Sequence, residues 1–291
     1  MKKVTIISGV VLALVGVAFV VYAGRPWLER RRQTALRNQF SKWTFSVQTM
    51  TAAEAEKKAP RRVIEGDLLG LDVRYRQDVL SVLEDKFFAE QLYSKARDYS
   101  ALNDRVSSGE RDAGPSIWTR YLSALAGDSS WLEGVLSQTT DANLRILTKC
   151  FVSMARGEYE EVIRCSRERV PETLPEIVWW LHFIEAQALF RTGDEHSAFE
   201  VASPLIETGD MGVCNGIFPL EVHLGVTAAI IYDAGGDSVS ASRFLQTVSK
   251  LSAKRKDRSW DLFNARVVAP LQEKLKAGEN EGREDEGQTT N

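Results

Sequence analysis

A short elbow recurs through this sequence of 291 residues and constrains its fold more than any other feature. Its clearest copy is Gly193-Asp194-Glu195-His196-Ser197-Ala198, with an apolar run from Ile177 to Phe190 leading in and another from Ala198 to Ile206 leading out. Glycine reaches the positive φ that ends a helix, and an aspartate just after it caps the next helix through its carboxylate. Gly236-Asp237-Ser238-Val239-Ser240-Ala241 has the same form; Gly157-Glu158-Tyr159-Glu160-Glu161-Val162 and Gly127-Asp128-Ser129-Ser130-Trp131-Leu132 are looser copies. Arg97-Asp98-Tyr99-Ser100-Ala101 reads as a fifth copy that lacks the glycine. From Arg97 onward the intervals are 30, 30, 36 and 43 residues, the period of a helical-hairpin repeat. No segment carries sustained strand alternation, so the expected class is all-α: an N-terminal transmembrane helix followed by an α-solenoid of helical hairpins.

Val4 to Ala23 is an uncharged run of twenty residues after Lys2 and Lys3, enough to span roughly 30 Å as a helix, the thickness of a bilayer core. Two readings stand: a permanent anchor, favoured by the length of the run and by Trp27 at its edge, and a secretory signal cleaved near Ala23. Residues 25–62 hold ten basic residues against Glu29, Glu54 and Glu56, a net +7. With Lys2 and Lys3 at the start and −3 overall, the rest of the chain carries −12. The cations after the apolar run favour a cytoplasmic body at a bacterial-type inner membrane, with a periplasmic body as the alternative. In the basic neck, Arg25, Arg30, Arg31 and Arg32 are candidate contacts for lipid headgroups; a solvated spacer helix is the plainer reading.

The expected organisation is an anchor or signal over 1–24, the neck over 25–62, a less regular helical region over 63–115, repeats with a capping helix over 116–276, and a polar tail over 277–291. Apolar spacing predicts helices over Leu28–Lys42, Thr51–Ala59 and Asp72–Lys95, with Thr51 as a cap and Pro60 as a stop. Repeat hairpins follow from Ile117 to Leu251, and Trp260–Lys276 reads as a cap kinked by Pro270. Three cysteines, Cys150, Cys165 and Cys214, match no metal spacing; buried free thiols are the favoured reading, with a Cys150–Cys165 bridge geometrically conceivable.

The hairpins resemble tetratricopeptide repeats. Ala229, Tyr232, Ala241, Leu245 and Val248 around Gly236 fall where that family alternates small and large contact residues, as do Ala186, Leu189, Ala198, Ala202 and Leu205 around Gly193. Small residues there let helix axes approach to within 8–10 Å. The sequence departs from the pattern at Arg120, where a small residue is expected, and at Lys149 and Glu185, where a leucine is expected.

The resemblance implies a concave groove lined by the first helix of each pair: Leu147, Phe151 and Met154, then Trp180, Phe183, Gln187 and Phe190, then Val226 and Ile230. The family's Lys, Arg and Asn clamp for a carboxylate is missing, so the implied partner is a protein offering an apolar peptide or helix, with Phe151, Trp180, Phe183, Gln187 and Phe190 as the binding residues. The same residues packing against the chain's own N-terminal helices is the competing expectation. His182, His196 and His223 are far apart in sequence, and no phosphate loop, nucleophile elbow or zinc pattern is present. No enzyme, cofactor, metal, small-molecule substrate or specific nucleic acid is expected. The functional expectation is a membrane-anchored scaffold or adaptor; a periplasm-facing assembly chaperone or envelope-complex component is the alternative.

Overall fold

The computed structural model describes residues 28, 30–31, 34–61, 64, 73–109, 114–168, 174–207 and 218–277. Every regular element among them is helical. In chain order we label them α1 (34–47), α2 (Ala52–Lys58), α3 (Val73–Ala89), α4 (Tyr93–Ser107), α5 (Ile117–Leu125), α6 (Ser129–Gln138), α7 (Ala142–Arg156), α8 (Tyr159–Ser166), α9 (Pro175–Thr192), α10 (Glu195–Glu207), α11 (Phe218–Ala234), α12 (Ser238–Arg255), α13 (Arg258–Phe263) and α14 (269–277). Among the described residues no helix is long and apolar enough to cross a membrane. The Val4–Ala23 run and the polar tail after Ala277 lie outside the described residues.

The elbows form by the mechanism their residues imply. Gly193 has φ 88° and Gly236 φ 87°, and the next amide reaches back to the helix just ended: Asp194 N donates to Leu189 O at 3.0 Å and Asp237 N to Tyr232 O at 2.8 Å. The aspartates then cap the following helices, Asp194 accepting from Ser197 N at 3.2 Å and Asp237 from Ser240 N at 3.0 Å. Gly127 and Gly157 carry the same positive φ, and each next amide, Asp128 N and Glu158 N, makes the same backward bond. Successive hairpins α5–α6, α7–α8, α9–α10 and α11–α12 pack on their neighbours. At the α11–α12 contact a Cβ on Gly225 would stand 2.5 Å from Val248 Cγ2, so the close approach requires glycine.

The fifth elbow is not at Arg97. Arg97 lies inside α4, where its guanidinium pairs with Asp98 and Asp128. The expected single helix over Asp72–Lys95 breaks instead at Gln91, which takes φ 61° without being glycine, and Leu92 N closes the turn on Phe87 O at 2.8 Å. The break lets α3 and α4 fold back on each other, burying Phe87 against Tyr99 with ring centroids 5.6 Å apart. The second neck helix matches its expectation: Thr51 and Glu54 form a reciprocal capping box at the start of α2, and the helix ends before Pro60. Ahead of Pro270 the chain winds a π turn over Asn264–Val268, with Ala269 N donating to Asn264 O, since proline supplies no amide to a regular turn.

A polar clasp joins the two ends. Lys86 Nζ, 1% exposed, donates to Met50 O and to Asp257 at 2.8 Å each. Glu90 Oε1 accepts from Ala52 N at 2.7 Å and from Ser259 Oγ at 2.8 Å, and Arg258 N donates to Gln48 O at 2.8 Å. α3 therefore packs on α2, α11 and α13, and the N-terminal helices close the array against its C-terminal cap.

The residues that depart from the repeat pattern are pins between helices. Arg120 is buried; its Nε donates to Pro115 O at 3.0 Å and its Nη1 to Thr148 Oγ1 at 2.5 Å, and burial holds its pKa below the usual guanidinium range. Glu185 is buried and accepts from Arg167 Nε at 2.7 Å. Cys150 and Cys165 are buried as expected, but the α7–α8 hairpin sets them face to face, Cα atoms 5.9 Å apart, and joins them as a disulfide, which corrects the free-thiol expectation. Cys214 lies outside the described residues.

Candidate functional site

A cleft of about 520 Å³ opens between α5, α7, α9, α11 and the π turn, with Met154, Phe190, Val226, Ile230 and Val267 among its apolar walls. Gln91, Gln187, Arg191, His223 and Thr227 supply polar side chains to the same cleft. The groove residues expected from sequence divide in two. Gln187 and Phe190 are half-buried in the cleft wall. Phe151, Trp180 and Phe183 are buried beneath it. Their rings pack around Tyr121 at centroid distances of 5.8, 5.2 and 5.9 Å. In this structure those three form an aromatic floor and do not line the cleft. Phe88 of α3 extends the same aromatic layer through Trp118 and His223, so the N-terminal helices cover part of what an open array would expose.

Sequence reasoning missed Tyr121 and His223. Tyr121 Oη lies 2.7 Å from His223 Nε2 and donates to Gln187 Oε1 at 3.1 Å. Burial pushes the His223 pKa down to about 4, so the ring is neutral; with its proton on Nε2 it donates to the tyrosine oxygen, and the tyrosine proton then serves Gln187. Burial also raises the Tyr121 pKa, keeping the phenol protonated. Gln187 Nε2, also buried, has no acceptor in the structure. The relay thus ends on a buried donor behind the cleft wall. His223 stands 102 residues from Tyr121 and no local pattern links them.

A second cavity, about 730 Å³, lies between α1, α3, α4, α5 and α11. Its walls include Asp78, Glu84, Asp85, Asp104 and Glu176 among aromatic rings, with Arg255 as the cation. Glu84 is 7% exposed and accepts from Trp118 Nε1 at 2.5 Å. Burial, with Asp85 and Asp104 nearby, pushes its pKa up to about 8 against the indole bond. Burial likewise pushes Asp85 up to about 7, with Arg255, 3.8 Å away, pulling it back. The Arg255 guanidinium itself sits 3.9 Å over the Phe218 ring.

The adjacent tryptophans at 179 and 180 are both buried, because α9 is enclosed on two sides: Trp180 faces the Tyr121 floor, and Trp179 stacks on Phe183 near α10 and α11. His196 is exposed beside Glu200 at 3.4 Å. Arg30 and Arg31 are exposed ahead of α1, whereas Arg25 and Arg32 lie outside the described residues. Among the described residues no three His, Cys, Asp or Glu side chains are grouped to hold a metal ion. Compared with known proteins, the chain matches no family model, no curated protein and no solved structure.

Proposed function

We propose that this chain is a membrane-anchored, non-enzymatic scaffold that recruits a partner protein by holding an apolar segment of it in the concave cleft. The observation that carries the reading is the cleft: Met154, Phe190, Val226 and Ile230 are groove positions of the repeat pattern, and together they line one depression, with Arg191 and Gln187 beside them. The hairpins are tetratricopeptide-like under this reading, and the uncharged Val4–Ala23 run is the anchor.

The test places a photo-crosslinking phenylalanine analogue at Phe190 in the full chain, in cells, and compares it with the same analogue at Val239 on the outer surface. A single partner captured at Phe190 and not at Val239, and lost on Ile230→Asp with the thermal melt unchanged, supports the reading. Equal capture at both positions sinks it.

The Cys150–Cys165 pair favours one alternative, a body on the periplasmic side acting in an envelope assembly, since disulfides persist in oxidising compartments. Acid trapping of thiols in intact cells separates the two: oxidised cysteines support the exported body, reduced ones the cytoplasmic body.

A further inference from the structure

The neck is not a loose spacer. The inner face of α1 is built into the body: Trp43 and Val47 are buried, Trp43 Nε1 donates to Ala55 O at 3.1 Å, and Phe40 meets Tyr75 edge-on at 5.0 Å. Gln48, just past α1, accepts from Arg258 N. Residues 30 and 31 also carry helical backbone, and Thr34 Oγ1 bonds back to Arg30 O at 2.8 Å. Helical spacing then puts Arg30, Arg31, Arg37, Asn38, Ser41, Lys42 and Phe45 on one outward face. The four cations on it are exposed, and α1 contains no Asp or Glu. Phe45 is 92% exposed, the most exposed large apolar side chain of the described residues.

We infer that this outer face of α1 lies on an anionic lipid surface, with Arg30, Arg31, Arg37 and Lys42 taking the headgroups and Phe45 entering the acyl boundary. The inference rests on the anchor reading above and adds a second, oriented contact. Cations around an exposed aromatic are the make-up of an interfacial helix, charge drawing it to the headgroups and the ring burying in the hydrocarbon edge. The uncharged run ends at Ala23, seven residues before Arg30, so under the anchor reading a bilayer lies within reach of this face. A net −12 outside the first 62 residues repels the rest of the body from the same surface. Since α1 is fixed to the body by Trp43 and Val47, lipid contact by Phe45 sets the direction in which the cleft points.

The experiment uses the full chain in phosphatidylcholine nanodiscs with and without phosphatidylglycerol, carrying photoreactive benzoylphenylalanine in place of Phe45 or, as control, of Val239. Lipid adducts at position 45 are expected to exceed those at 239 by about tenfold, to need phosphatidylglycerol, and to fall about tenfold on Arg37→Glu with Lys42→Glu. Thermal melts check that the variants stay folded. Adducts at 45 no higher than at 239, adducts indifferent to phosphatidylglycerol, or adducts to protein or nucleic acid instead of lipid overturn the inference. Carbonate extraction of cell membranes tests the anchor separately. A chain that stays in the membrane without lipid adducts at 45 retains its anchor and loses this inference. If carbonate releases the chain, the anchor reading falls, and the face must still give lipid adducts on added phosphatidylglycerol vesicles.

Discussion

The hairpins from α5 to α12 and the closure formed by α1–α4 with α13 are held by different means. Each hairpin is a local device in which one glycine, a few small contact residues and, in all but the Gly157 copy, one capping aspartate within forty positions specify a turn and its packing. The closure is a long-range one. Lys86 meets Asp257 across 171 positions, and Glu90 meets Ser259 across 169. Local devices fail one at a time and cost little each, whereas a buried ammonium without its partner costs much more. Packed hairpins thus end in a closed body because the helices at either end carry complementary polar groups.

The largest expected effect comes from breaking the closure. Lys86→Met leaves Met50 O and the Asp257 carboxylate without their buried donor and should lower stability by about 3 kcal/mol in urea denaturation. It should also raise hydrogen exchange in α2 and α13 before α9. A loss spread evenly over all helices would contradict the distinction between the two regions.

Glu84 offers a sharper probe of the same region. Its folded-state pKa of about 8 lies above the ordinary 4.5, so its contribution is full at acid pH and is lost as pH rises through 8. His223 works in the other direction: with a folded value near 4 against 6.5, stability falls as pH drops from 6.5 towards 4. The stability profile should therefore peak on the weakly acidic side of neutrality. Glu84→Gln keeps an acceptor for Trp118 and should add about 2 kcal/mol at pH 8 and little at pH 5. A gain independent of pH would mean that Glu84 is ionised in the fold.

The elbows give the smaller effects. Gly193→Ala meets open space, so only the positive φ opposes it, and about 1–2 kcal/mol should be lost. Gln91→Gly, at one of the two described turns where a non-glycine takes a positive φ, should stabilise by about 0.5 kcal/mol. The opposite signs of these two substitutions, read from chemical melts, separate the regular turns from the improvised one.

The same contrast sets what the sequence could reveal. The Gly-Asp elbows, the Thr51 cap and the ends of α5 at Ile117 and Leu125 are legible because the residues that make them are near neighbours. Gln91 hid its turn because a non-glycine in the left-handed region has no compositional mark, and Arg97-Asp98 imitated a cap inside a helix. In the cleft, Gln187 and Phe190 followed from repeat spacing, but the burial of Phe151, Trp180 and Phe183 depends on Phe88 and Tyr121 arriving from other hairpins. The Tyr121–His223 bond joins positions with no shared motif, so spacing alone could not disclose it.

Native-state hydrogen exchange on the full chain tests the closed body most directly, through two amides that bridge its ends: Ala52 N–H, bonded to Glu90, and Arg258 N–H, bonded to Gln48 O. In a closed body both exchange as slowly as Asp237 N–H in the Gly236 elbow, and Lys86→Met accelerates both together while leaving Asp237 protected. Fast, loop-like exchange at Ala52 and Arg258 in the unaltered chain would show an open array and contradict it.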